Sequence, residues 1–208
     1  MARGFRLAFA TSLLVVLGCA AASAQTSARE ITQALARGGY VLVMRHGNSP
    51  QLVPQLDTAN PDAPPPERRL DEMGRREATA MGAALRALNI PISATITSTA
   101  YRAVETAECL GVRTPSTAIE LSDGGMNSSG ITDGQVAWLR RRVAERPAQG
   151  NMLLITHQPN FARTFPEWGQ SVAQGEVAVF RPNGRGEATL VGRIRISEWP
   201  GLMPARAR

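Results

Sequence analysis

The chain contains no lysine. All 23 basic residues are arginine against 17 acids, a formal charge of +6, and the pI of 10.8 owes part of its height to the very high pKa of guanidinium. Aromatic residues are scarce, at 5% of the chain, and none interleave with the scattered arginines as a stacking platform for bases would require. That pattern argues against nucleic acid as a partner and leaves small anions. There are two histidines and two cysteines, Cys19 and Cys109. The histidines have no HxH or HxxxH spacing, and arginines beside them would repel a cation, so no metal site is expected. Internal repeats are also absent. With 43% apolar and 19% charged residues among 208, the composition is that of one folded domain.

The first 24 residues read as an export signal. Arg3 and Arg6 precede an apolar run from Leu7 to Gly18, and Ala22-Ser23-Ala24 supplies the small residues of a cleavage site before Gln25. The run is short of the roughly 20 apolar residues a spanning helix needs. This gives a signal peptide over 1–24, a mature domain over 25–208, and a periplasmic or secreted location. Val16-Leu17-Gly18-Cys19 also resembles a lipobox, so lipidation of Cys19 and attachment to the membrane is the alternative. Cys109 then has no internal disulfide partner and is expected to be a small core residue.

Along the mature chain, Ala28 to Arg37 predicts a short amphipathic helix closed by Gly38-Gly39, and Tyr40 to Met44 a buried strand. Asn48 to Glu67 carries six prolines and no periodicity, the mark of a functional flap. Asp71 can cap a helix to about Leu88, with Ala80, Ala84, Leu85 and Leu88 facing inward. A strand over Ala94 to Thr97, a helix over Tyr101 to Cys109 and a helix capped by Thr132 or Asp133 follow. The last of these carries Val136, Leu139 and Val143 inward and its Arg140-Arg141-Arg142 run outward. Met152 to Thr156 is another buried strand, and Glu176 to Phe180 and Ala188 to Ile196 flank a hairpin turn at Pro182-Asn183-Gly184. The expected fold is a three-layer α/β/α sandwich, its sheet mostly parallel with an antiparallel edge hairpin.

Each histidine follows a buried strand: His46 in Val43-Met44-Arg45-His46-Gly47 and His157 in Ile155-Thr156-His157-Gln158. The carboxyl ends of parallel strands form the ligand crevice, so both imidazoles are directed to one place. A third strand end leads into Arg102 in the first turn of a helix, where the dipole and free N–H groups favour an anion. Singly, each residue is commonplace; together they describe a phosphate site.

These residues carry a resemblance to the histidine phosphatase superfamily, also called phosphoglycerate-mutase-like. Its Arg-His-Gly signature is matched by Arg45-His46-Gly47. Its Ser-x-x-x-Arg-Ala-x-x-Thr-Ala segment is matched by Ser98, Arg102, Ala103, Thr106 and Ala107, and its second histidine by His157. The stretch from Arg69-Leu70 through Gly74 to Ala78 is similar to the family's helix entry. The resemblance implies a metal-independent phosphatase without cofactor, in which His46 becomes a phosphohistidine while Arg45, Arg102 and His157 hold the phosphate oxygens of a small phosphorylated substrate. For that chemistry the attacking nitrogen of His46 must be neutral, so its other nitrogen should donate to a carbonyl near the strand end or Gly47.

Family members acting on alkyl phosphates use a carboxylic acid to protonate the leaving oxygen. Asp123 and Glu120 both stand in the matching neighbourhood, with Asp123 slightly ahead for its place before Gly124-Gly125. Relatives that cleave phosphohistidine manage without that acid, so a phosphohistidine phosphatase is an alternative, as is a silent phosphoanion-binding envelope protein. Gln158-Pro159-Asn160 departs from the family's usual residues after the second histidine and lacks the His-Asp pair of the phytase-like branch. In plan the chain is similar to the exported branch that acts on heptose phosphates of the lipopolysaccharide core. Asn48, the flap, and Arg69 or its neighbour Arg68 are candidate substrate contacts.

Overall fold

The computed structural model describes residues 27–50, 67–112, 114–123 and 130–204. The expected export segment with Cys19, most of the proline-rich flap and Gly124-Gly125 lie outside them. Among the described residues, six strands and six α-helices follow in the order α1 (Ala28–Leu35), β1 (Val41–Arg45), α2 (Glu72–Ala87), β2 (Ile92–Thr97), α3 (Tyr101–Leu110), β3 (Ser116–Thr117), α4 (Asp133–Ala144), β4 (Asn151–Thr156), α5 (Gln158–Thr164), β5 (Val177–Pro182), β6 (Ala188–Ile194) and α6 (Trp199–Leu202).

Local chemistry sets the helix starts. Ser27 and Glu30 form a capping box on α1, Thr132 and Gln135 form one on α4, and Asp71 Oδ1 accepts from Gly74 N at 2.7 Å to start α2. At the other end, Gly111 closes α3 in the left-handed region at φ 96°, a conformation glycine adopts without steric cost.

The sheet order is β3-β2-β4-β1-β5-β6. β1, β2, β3 and β4 are mutually parallel, whereas β5 runs antiparallel to both β1 and β6, so the hairpin stands at one edge as expected. Alternate side chains of each central strand enter opposite layers, as the two-residue period of a strand requires. Leu42 and Met44 pack with Leu153 and Ile155 against α1, α2, α3 and α6. Val41 and Val43 pack with Leu154 against Leu139 and Val143 of α4 and Phe161 of α5. Fully burying each such aliphatic side chain contributes roughly 1.5–3 kcal/mol, and both sheet faces are filled this way. The predicted α/β/α sandwich is the observed one.

Asn151 fastens the amino end of the sheet. It is fully buried, accepts from Tyr40 N at 3.1 Å and donates to Leu35 O at 2.8 Å and Pro91 O at 2.9 Å, so its amide is satisfied where an orphan would be costly. Several expectations shift in detail. β3, α5 and α6 add to the elements the sequence pattern predicts, α2 turns Gly74, Ala78, Met81 and Gly82 inward while Ala80 and Leu88 are only half-buried, and Val136 is likewise half-buried. Cys109 is a free thiol, half-buried against the α2–α3 side of the core. No helix of the described residues is long and apolar enough to cross a membrane.

Candidate active site

The parallel arrangement places the carboxyl ends of β1, β4 and β2 side by side, with β4 in the middle. The backbone beyond β1 is gripped from both sides. His46 N donates to Thr156 O at 3.0 Å, and Gly175 N donates to the carbonyls of Arg45 and His46 at 3.1 and 2.9 Å. Thr106 of α3 accepts from Gly47 N at 3.0 Å and donates to Arg102 O at 2.7 Å. That single hydroxyl fixes the Arg-His-Gly turn against the helix carrying Arg102.

His46 and His157, buried to 3% and 1% relative exposure, have ring centroids 5.2 Å apart. His46 Nδ1 lies 2.8 Å from Gly47 O. A carbonyl can only accept, so Nδ1 carries the proton and Nε2 keeps its lone pair, as the sequence reading required. That lone pair accepts from Arg102 Nε at 3.3 Å. His157 is the opposite tautomer: Nδ1 accepts from Arg102 Nη2 at 3.0 Å, so Nε2 donates to Ser98 Oγ at 2.7 Å. Arg102 thus addresses both rings, and its Nη2 also pairs with Asp123 Oδ2 at 2.5 Å. The 3.5 Å between His157 Nδ1 and Asp123 Oδ2 is a contact between two acceptors sharing one guanidinium, since Nδ1 holds no proton.

The field around the rings is positive. Burial pushes the His46 pKa down to about 3, the hydrogen bond to Gly47 opposes this, and the charges of Arg102, Arg45 and Arg68 depress it further. His157 is likewise held well below its ordinary value, first by burial, with Asp123 opposing and Arg102, His46 and Arg68 adding to the depression. Both imidazoles are therefore neutral at pH 7. Arg45 donates through Nη1 to Val172 O at 2.8 Å, while its buried Nε has no hydrogen-bond partner among the described residues, a donor suited to an anion.

The structure brings Arg45, His46, Arg102, His157 and Asp123 together. It assigns other work to the remaining candidates. Asn48 donates to Asp71 Oδ2 at 2.5 Å, so its amide braces the cap of α2. The Arg69 guanidinium lies over the Tyr101 ring, 4.1 Å from its centroid. The cation acting on the histidines is Arg68, anchored to Pro50 O at 2.7 Å and Ser49 O at 3.0 Å and sensed by His46, His157 and Asp123 alike. Of the two neighbours, it is the charge of Arg68 that reaches the histidines. Glu120 sits in a short 3-10 turn; the carboxylate on Arg102 is that of Asp123. Ser98 and Thr106 stood in the sequence motif without a role, and the tautomer of His157 and the grip on Gly47 supply one.

The model of the histidine phosphatase superfamily (branch 1) matches residues 41–126, from the start of β1 through Arg102 and Asp123. Over this stretch the chain matches the histidine phosphatase superfamily. His157 lies beyond that match and stands beside His46 in space. Among solved structures, the protein histidine phosphatase SixA complexed with tungstate is 21% identical, with a TM-score of 0.55 over 76% of this chain and 98% of that one. The SixA structure from Agrobacterium tumefaciens is 15% identical at a TM-score of 0.51, over 75% and 97% of the two chains. A phosphoserine phosphatase variant from Entamoeba histolytica in complex with phosphoserine is 10% identical at a TM-score of 0.51, over 74% and 95%. At these identities the likeness is one of fold. No curated protein matches the chain. Among the described residues there is no group of three or more His, Cys, Asp or Glu side chains arranged to hold a metal ion.

Proposed function

We propose that this histidine phosphatase hydrolyses a phosphomonoester outside the cytoplasm through a phosphohistidine on His46. The observation that carries the reading is the Nε2 lone pair of a neutral His46 facing Arg102, with Nδ1–H tied back to Gly47 O. In the first step Nε2 attacks phosphorus, and Arg102 Nε turns from the ring to a phosphoryl oxygen. The bond from phosphorus to the leaving oxygen breaks, and Asp123, protonated in the substrate complex, gives that oxygen its proton. In the second step water attacks the phosphohistidine, Asp123 takes the water's proton, and inorganic phosphate leaves with His46 neutral again. The transition state spreads charge over three equatorial oxygens, and Arg45, Arg102 and the side chains around His157 follow it without reorganising. The Gly47 carbonyl meanwhile stabilises the positive charge the imidazole acquires.

Asp123 on Arg102 supports an alkyl phosphate over a phosphoramidate, because an alkoxide needs a proton to leave and imidazole does not. The fold shared with SixA favours the second reading, a phosphohistidine substrate, in which Asp123 would be dispensable. The export reading rests on the charged, apolar and small-residue pattern of residues 1–24, with Cys19 lipidation as the anchored variant.

Turnover of p-nitrophenyl phosphate in the presence of a chelator is expected, with complete loss in His46→Ala while circular dichroism stays native. Tight phosphate binding by the wild-type chain without any turnover would replace the enzyme by a phosphoanion receptor.

A further inference from the structure

We propose that Asn160 is a positioning residue for Asp123, holding the acid in register with the phosphate cradle. The inference rests on the reading of Asp123 as proton donor. α5 begins directly after His157, which occupies its N-cap position without a side-chain capping bond, so Asn160 stands in the first turn of that helix. Asn160 is 2% exposed, and its Nδ2 donates to Ser122 O at 3.2 Å and Glu120 O at 3.4 Å. Gln135 of α4 reaches the same two carbonyls from its own side, at 2.8 and 3.4 Å. Between them, Thr156 Oγ1 donates to Leu121 O at 2.6 Å.

Three successive carbonyls are thus fixed by side chains from β4, α4 and α5. The Ser122 carbonyl belongs to the planar peptide unit whose nitrogen is that of Asp123. Two amide donors filling both of its lone pairs set the plane from which the Asp123 side chain departs. A purely packing role explains less of this residue. Asn160 Oδ1 is buried and has no hydrogen-bond partner among the described residues, a cost that an apolar side chain at the same place would not carry. What the side chain supplies at this place is its donor. It also accounts for the Gln158-Pro159-Asn160 departure from the family pattern: the helix that caps on His157 reaches across to the acid loop within one turn.

Four proteins test the inference: wild type, Asn160→Ala, Asp123→Asn and the double variant. Each is assayed on p-nitrophenyl phosphate, whose leaving group needs little protonation, and on glycerol 2-phosphate, whose leaving group needs it fully. Asp123→Asn should lose activity selectively on glycerol 2-phosphate; equal loss on both substrates removes the proton-donor reading itself. With that selectivity in hand, Asn160→Ala should lower kcat on glycerol 2-phosphate by about 10-fold to 100-fold. It should change p-nitrophenyl phosphate turnover less than about threefold, leave KM near wild type, and add nothing in the Asp123→Asn background. Equal losses on both substrates, or an undiminished effect in the double variant, would show that Asn160 serves the fold and not the acid. Gln135→Glu covers the case in which Asn160→Ala fails to fold. It keeps the acceptor of the α4 capping box but removes the donor to Ser122 O, and the same selective loss is expected. Turnover of glycerol 2-phosphate at the wild-type rate in Gln135→Glu, with Asn160→Ala unfolded, would overturn the proposal.

Discussion

Lowering the pH from 7 to 5 should cost the folded chain about 2 kcal/mol through His46 alone. The ring's pKa falls from 6.5 to about 3 on folding, so between those values the unfolded chain takes up a proton that the folded chain refuses. The unfolded state then binds more protons, and stability falls as the pH falls. Each unit below 6.5 costs about 1.4 kcal/mol. At pH 5 this amounts to about 2 kcal/mol, and it approaches about 5 kcal/mol near pH 3. His157 is depressed by the same burial and adds in the same direction. The assay is urea unfolding in phosphate-free buffer at both pH values, for the wild type and for His46→Gln, whose amide does not titrate. Carboxylates common to both proteins cancel in the difference. The variant should therefore lose about 2 kcal/mol less than the wild type on acidification, a midpoint difference of roughly 1 M for an m-value near 2 kcal/mol/M. Identical losses in the two proteins would refute both the burial argument and the claim that folding holds the nucleophile neutral.

Arg68→Ala removes a cation that acts on both histidines and Asp123. It should weaken inhibition by inorganic phosphate by about 10-fold, the scale of one charge-assisted contact, with Arg68→Lys partly restoring it; an unchanged inhibition constant would detach Arg68 from the cradle. In Gly74→Ala the new Cβ would overlap the backbone of Asn48. The start of α2 must then move off the Arg-His-Gly turn, lowering stability by about 1–3 kcal/mol and kcat/KM with it. Wild-type thermal stability in that variant would contradict the close approach.

The elements legible in the sequence are those whose residues see only one kind of environment. β1 and β4 are buried on both faces, so they read as unbroken apolar runs, and Asp71 stands where a cap must stand. α2 is less legible because its inward face is partly glycine. Gly74 and Gly82 carry no hydrophobic signal, yet they let the helix approach Asn48 and Leu110 at backbone distance. α5 has seven residues with Pro159 near its start, too few turns for a period to show. The site divides the same way. Both histidines and Arg102 follow from their places at strand ends, whereas the choices between Asp123 and Glu120 and between Arg68 and Arg69 depend on which way a loop turns. Groups far along the chain set that direction: the Thr156 hydroxyl and the Asn160 amide for the acid loop, and the Ser49 and Pro50 carbonyls for Arg68.

The cradle is arranged against its own stability. Two arginines and two desolvated imidazoles converge at the strand ends, with Arg68 beside them and the Asp123 carboxylate as the counter-charge on Arg102. Neutralising the imidazoles by proton release is the cheapest way for the fold to tolerate this, and it also leaves Nε2 of His46 unprotonated, as the proposed reaction requires. The same positive field that expels those protons attracts a phosphate dianion, whose charge would relieve the repulsion among the arginines. The neutrality of the two rings and the affinity proposed for a phosphate dianion therefore have one electrostatic origin. The two apolar layers on either side of β1 and β4 supply the stability that lets the chain hold it.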